Sequence, residues 1–164
     1  MPSNMTLNGS LTEDALLDAT NLRLIAELQA DARVSLAELG RRVALSSPAV
    51  AERLRRLEEA GVITGYRAVV DPRRLGFGFG VVIRIRPGGR KLALVADILR
   101  DTPEVVECHR VTGDDCYIAF AYVRDVEHLE RVIDRFTPHG QTTTSIMQSS
   151  PVPRRAVTPP GSRA

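Results

Sequence analysis

Apolar residues recur at helical spacing three times in the first third of the chain. Leu22, Ile25 and Leu28, with Leu24 beside them, line one face of residues 17–30, and Asp18 stands where an N-cap belongs. Leu36, Leu39 and Val43 repeat the spacing. Ser35 precedes them and Glu38 follows Ser35 by three places, which predicts a capping box. Ala44-Leu45-Ser46 then makes a short break. Val50, Leu54 and Leu57 mark a longer helix, entered through Ser46 or Ser47, with Pro48 in its first turn and Gly61 at its end. Three helices, the last two joined by a tight turn, predict a helix-turn-helix unit.

After Ile63 the pattern changes. Residues 64–70 read as a strand and Asp71-Pro72-Arg73-Arg74 as a turn. The run GFGFG from Gly76 to Gly80 has the composition of a phosphate loop. No helix start and no Lys-Ser/Thr pair follows it, so it reads as a hinge entering a strand. Strands are expected at 80–86, 105–111, 116–123 and 141–147. Helices are expected at 90–100, with Leu92, Val95, Ile98 and Leu99 apolar, and at 126–136. Thr112-Gly113-Asp114-Asp115 makes the tight turn of the central hairpin. The order β-α-β-β-α-β is the ferredoxin-like layout, an antiparallel sheet with two helices on one face and the other face open. The expected class is α+β. A disordered stretch at 1–15 precedes a helix-turn-helix head at 16–63 and a hinge strand and linker at 64–79. A ferredoxin-like half at 80–150 and a disordered tail at 151–164 complete the chain.

Composition narrows the function. The 164 residues carry a net charge of only +2, so any nucleic-acid site is a patch and not a global polycation. Aromatics are 4% with no Trp, which argues against a stacking platform for single strands. No apolar run is long enough to span a membrane, and the first residues lack a basic-then-apolar signal, so a cytoplasmic protein is expected. Cys108, His109, Cys116, His128 and His139 are the candidates for a thiol nucleophile or a metal site. Cys108 and His109 face opposite sides of their strand. Cys108 falls opposite Ala119, three places from Cys116, and no paired metal-ligand spacing occurs. Half-buried strand cysteines and surface histidines are the plainer account. No enzyme activity, metal or cofactor is expected.

The third helix carries the most specific chemistry. At about 100° per residue, Pro48, Ala49, Glu52, Arg55 and Arg56 point away from the apolar stripe, and Arg53 sits on its flank. Residues 41–56 hold five arginines against one acid, Glu52. The plainer account is a solvated helix whose arginines pair with Glu52, Glu58 and Glu59. The caps, the short turn, the small residues at the helix entry and the basic face together favour duplex DNA. Ser46, Ser47, Pro48, Ala49, Glu52, Arg53 and Arg56 are the expected DNA-binding residues, with Ser35 on phosphate. In the second half, Gly113 lets a ligand approach the hairpin backbone, and Asp114 and Asp115 can accept from an ammonium. Thr142 and Thr144 offer hydroxyls on one strand face. The plainer accounts are an ordinary Asp-Gly turn and ordinary β-formers.

These stretches, LSSPAVAERLRRLEEAGVITGY and VTGDDCY above all, are similar in order and spacing to the Lrp/AsnC family of feast/famine transcriptional regulators over residues 17–151. The resemblance implies a DNA-binding head and a hinge strand. It also implies a regulatory half that dimerises through its sheet, assembles to tetramers or octamers, and binds an amino acid between dimers near the central hairpin. Two departures stand out. Ala44 takes a turn position where members often have Gly, with Gly40 small in compensation, so helix packing should survive. Cys116 replaces an acid of the Asp-x-Asp-Tyr pattern, here Asp114-Asp115-Cys116-Tyr117, and removes one acceptor for the effector's ammonium. The competing function is a ferredoxin-like small-molecule-binding module whose helical head docks onto protein without specific DNA binding. A salt titration separates the two, because phosphate contacts weaken steeply with salt.

Overall fold

The computed structural model describes residues 16–158. They form two compact units, one running to Ala68 and taking in the segment from Arg154 on, the other Val69–Pro153.

The first unit contains α1 (Ala19–Ala30), α2 (Leu36–Val43) and α3 (Ser47–Glu59). Leu24, Leu39, Val43, Val50, Leu54 and Leu57 are its buried core, with Ile25, Leu28, Val34, Leu45 and Ile63 packed around them. The expected stripe of α1 is shifted. Leu22 lies outside this core, and polar Asn21 is buried instead. Burial of an amide is tolerated when its groups are satisfied. The Asn21 Nδ2 donates to the Leu16 carbonyl at 2.7 Å, and its Oδ1 accepts from Arg53 at 2.9 Å.

The second unit is a four-stranded antiparallel sheet of order β2-β3-β1-β4. Its strands are β1 (Phe79–Pro87), β2 (Val105–Arg110), β3 (Tyr117–Val123) and β4 (Gly140–Ile146). Helices α4 (Leu92–Arg100) and α5 (Val126–Asp134) contribute Val95, Leu99 and Val132 to the core. There they meet Val81, Ile83 and Ile85 of β1 and the alternate residues Tyr117, Ala119, Ala121 and Val123 of β3. The intervening residues, Val82, Arg84, Arg86, Ile118, Phe120 and Tyr122, belong to the opposite face, as the two-residue period of a strand requires. The order and class expected from the pattern are the observed ones.

Two expectations fail here. Residues 64–70 form no strand within the described residues. A strand needs a neighbour for its N–H and C=O groups, and none is present among the described residues. Tyr66, Val69 and Val70 are exposed, Val69 completely. The tail, expected to be disordered from residue 151, is described to Thr158 and returns to the first unit. The Gln29 amide donates to the Val157 carbonyl at 3.1 Å and accepts from the Val157 N–H at 2.9 Å. The expected disorder at 1–15 lies outside the described residues.

Candidate functional site

The turn between α2 and α3 is built around two small residues with unequal duties. Ala44 adopts the left-handed conformation, φ 58° and ψ 44°, the one non-glycine residue at positive φ among those described. This closes α2 with a bond from the Leu45 N–H to the Gly40 carbonyl at 2.8 Å. The return brings the Leu45 carbonyl oxygen onto α2, 2.4 Å from where a Cβ on Gly40 would lie. Helix packing survives this arrangement, as expected, but the two positions are not interchangeable: only glycine fits at position 40.

Ser46 then caps α3, its Oγ accepting from the Ala49 N–H at 3.4 Å, with Pro48 in the first turn. Val50, Leu54 and Leu57 face inward. Pro48, Glu52 and Arg56 are exposed, Ser47 and Ala49 partly so. This end of α3 presents small side chains and backbone N–H groups, the combination that admits close approach of a phosphate or a base edge. Ser35 caps α2, its Oγ accepting from the Glu38 N–H at 3.2 Å. The reciprocal half of the expected capping box is absent. The Glu38 carboxylate instead accepts from Arg41 at 2.6 Å and 2.9 Å and from Arg42 at 2.7 Å. Two guanidinium partners outcompete one backbone N–H, and they hold the Glu38 carboxyl down at about 2.

The arginines divide into three groups. Arg42 is committed to Glu38 and to Glu27 of α1, so it latches α1 to α2. Arg55 lies between Glu52 and Glu59, and Arg56 approaches Glu52 only to 3.9 Å. Arg53 differs from its expected role. Its Nη1 donates to Asp18 Oδ2 at 2.7 Å and to Asn21 Oδ1 at 2.9 Å, which ties α3 to the start of α1. The Arg53 hydrogen bond and that from the Asn21 N–H lower the Asp18 pKa against its slight desolvation. The exposed, weakly paired guanidinium on α3 is that of Arg56.

The second candidate site surrounds the hairpin. Gly113 takes φ 105°, as the turn demands. The Asp114 backbone carbonyl accepts from Arg86 Nε at 2.7 Å, and Arg86 Nη2 lies 3.4 Å from Asp114 Oδ2. Arg86 was not singled out by sequence. Its signal was the polar alternation of Arg84 and Arg86 within an apolar strand. Asp115 is half-buried. Tyr117, which ends the Asp114–Tyr117 pattern, is core, its hydroxyl donating to the Leu92 carbonyl at 3.1 Å. Thr142 and Thr144 do not join this group. They pair with Ile85 and Ile83, on the helix-covered face, and β1 lies between their strand and the hairpin strand. Two concavities lie away from these five residues. One, of about 340 Å³, runs along α5, and another, of about 390 Å³, lies between α4 and β2.

Of the cysteine and histidine candidates, Cys108 and His128 sit in ordinary structural settings. Cys108 pairs with Ala119, as the register predicted, and is exposed as a residue, not half-buried. Partial desolvation of its thiol against the strand raises the pKa, the opposite of activation. His128 is buried and not a surface residue. It accepts from the Arg124 N–H at Nδ1, and its Nε2 lies 2.8 Å from Glu104. No helix among the described residues is long and apolar enough to cross a membrane.

Comparison with known proteins agrees with this architecture. Residues 17–64 match the winged helix-turn-helix DNA-binding family, and residues 80–157 match the Lrp/AsnC ligand binding domain. The HTH-type transcriptional regulator YezC of Bacillus subtilis is 38% identical over 82% of this chain and 95% of its own length. The structure of B. subtilis LrpC superimposes with a TM-score of 0.78 at 32% identity, covering 82% of this chain and 96% of LrpC. That of the Neisseria meningitidis regulator NMB0573, a complex with L-Met, gives a TM-score of 0.79 at 28% identity, covering 87% of this chain and 96% of the other. With a DNA-binding head, a ligand-binding half and relatives that are transcriptional regulators and not enzymes, this chain belongs to the Lrp/AsnC family of helix-turn-helix transcriptional regulators.

Proposed function

We propose that this regulator reads duplex DNA with the exposed face of α3 from Ser46 to Arg56. Ser47, Pro48 and Ala49 approach the major groove, Glu52 and Arg56 reach base edges or phosphates, and the Ser35 and Ser46 helix starts sit on the backbone. The observation that carries this reading is the contrast along α3. Its entry is small, exposed and rich in backbone donors, while its inner face and Arg53 lock it to α1 and α2. Arg53 is a positioning residue in this scheme. Selection of bound fragments from a genomic library, followed by affinity measurement on the enriched duplex, tests it. Enrichment of a common site supports the reading, and fragments without a common sequence sink it.

The working unit is a homodimer, with higher even-numbered assemblies above it. Two features are unsatisfied in one chain. Residues 64–70, with Tyr66, Val69 and Val70 exposed, have no ladder partner among the described residues. The open sheet face carries Val82, Ile118, Phe120 and Tyr122, with Phe77 against Tyr122 and His109 against Phe120. A second copy relieves both.

The effector is an amino acid, as in the L-Met complex of NMB0573. Arg86 can receive its carboxylate, while Asp114 and Asp115 accept from its ammonium near Gly113. Thr142 and Thr144 lie on the helix-covered face with Ile85 and Ile83, so the proposed site is built from Arg86, Gly113, Asp114 and Asp115 without them. Calorimetry with the common amino acids tests this. Binding lost in both Arg86→Gln and Asp114→Ala supports it. A parent that binds none of them refutes it.

A further inference from the structure

A bulge in β2 decides which of its side chains reach the helix-covered face of the sheet. Val105 pairs with Ala121 and Glu107 with Phe120, so the register slips at Val106. Such a slip re-aims the residues that follow it. Without it, strict alternation would put Glu107 and His109 on the face of Val105. With it, Cys108 and Arg110 pair with Ala119 and Tyr117 and share that face. Glu107 and His109 go to the open face. There His109 Nε2 lies 2.7 Å from Glu107 Oε1, and the His109 ring meets Phe120 edge-on.

The side chains turned inward this way fill the edge of the core poorly. β2 is an edge strand, and β3 offers it only the small Ala119 and Ala121 beside Tyr117. The result is the concavity of about 390 Å³ between α4 and β2. That volume suits a small ligand, near the lower end of the usual range of about 300–1,000 Å³. Ala96, Leu99, Val105 and Tyr117 give it an apolar wall, with the Cys108 thiol and the Arg110 guanidinium beside them. The other guanidinium at its rim, that of Arg100, is taken by Asp97. Arg110 is exposed and has no hydrogen bond or ion pair among the described residues. A forked cation beside an apolar wall matches a carboxylate that carries an apolar chain. An amino acid fits less well. The one carboxylate lining this concavity, Glu107, is engaged with His109, so an ammonium would lose water without gaining an acceptor.

We infer that the concavity between α4 and β2 binds a short-chain apolar carboxylate, with the carboxylate on Arg110 and the chain against Leu99, Val105 and Tyr117. This site is distinct from the proposed effector site at the hairpin. Arg86 alternates with buried Ile85 and belongs to the open face, whereas Arg110 shares the helix-covered face with Tyr117. Gly113, Asp114 and Asp115 do not line the concavity. The two sites therefore take different chemistry, a zwitterion at the hairpin and an apolar anion at the sheet edge. The edge site needs neither DNA nor a second copy of the chain, so its test stands apart from the readings above.

Cys108 reports occupancy directly, because it lines the concavity. The full chain is alkylated with iodoacetamide at mildly alkaline pH, where thiolate is available, and Cys108 and Cys116 are followed separately by peptide mass spectrometry. Hexanoate should slow alkylation of Cys108 about tenfold at about ten times its dissociation constant, and leave Cys116 unchanged. Arg110→Gln should melt with the parent and need about tenfold more hexanoate for the same protection, the worth of a charge-assisted hydrogen bond. Hexylamine, with the same chain and the opposite charge, should not protect, and neither should leucine. Absence of protection by hexanoate overturns the site, and equal slowing at both cysteines does the same. Protection by hexylamine or leucine equal to that by hexanoate overturns the assigned ligand class. An Arg110→Gln response equal to the parent's overturns Arg110 as the receiver of the carboxylate.

Discussion

The Gly40–Ala44 pair allows a worked prediction in both directions. Ala44 pays the left-handed penalty, about 1–2 kcal/mol for an L-residue. Ala44→Gly removes it and gives back about 0.5–1 kcal/mol through the greater freedom of glycine in the unfolded chain. The expected net gain is about 0.5–1 kcal/mol, a rise of about 2–8 °C in the Tm of the head at small-domain entropies. Gly40→Ala runs the other way. Its new Cβ would lie 2.4 Å from the Leu45 carbonyl oxygen. Leu45 cannot retreat cheaply, because its N–H closes α2 on the Gly40 carbonyl. Overpacking against backbone costs about 1–3 kcal/mol, more than helix propensity returns. Because the two residues share one turn, the double variant should depart from additivity. Thermal unfolding followed by far-UV circular dichroism of the parent and three variants measures all of this. A stabilised Gly40→Ala, or a destabilised Ala44→Gly, would show that the turn geometry is wrong.

Three further outcomes are expected. Arg53→Ala strands Asp18 and Asn21 and should destabilise the head by about 1 kcal/mol, discounted for partial exposure, whereas Arg56→Ala should leave stability unchanged; equal stability loss in denaturant titrations would contradict this division. Glu38 is held at about 2, below its ordinary value of 4.5, so its contribution is complete above about 4.5 and is lost as pH falls toward 2; carboxyl-detected NMR of the parent should find that midpoint, and an Arg41→Ala/Arg42→Ala variant should titrate near the ordinary value. Phe120→Glu places a charge on the open sheet face and should convert the proposed dimer to monomer in light scattering, and a mass equal to the parent's would remove that face from the proposed interface.

Elements were legible in the sequence where periodicity and local chemistry agree. The α3 helix follows from the Val50, Leu54 and Leu57 spacing with Ser46 and Pro48 at its entry. The hairpin follows from Gly113 between two apolar runs. What escaped were choices between competing partners far apart in sequence. Arg53 looks like any basic face residue until α1 brings Asp18 and Asn21 to it, more than thirty residues away. Glu38 fits a capping box by spacing, but Arg41 and Arg42 bind it more strongly. Residues 64–70 have strand composition, yet a strand depends on a neighbour that the described residues do not supply. At the candidate effector site Gly113 and Asp114 were visible as a turn, while Arg86 became visible only when β1 and β3 paired. The threonines were placed on one face correctly, but which face is a property of the whole sheet.

The central claim, that the exposed face of α3 from Ser46 to Arg56 reads duplex DNA, is tested most directly by the affinity of Arg56→Ala for the enriched duplex against a scrambled one. The account predicts a loss of about 1–3 kcal/mol on the enriched duplex, the worth of a base-contacting arginine, and a smaller loss on the scrambled duplex. Equal affinity of parent and variant for both duplexes would contradict it.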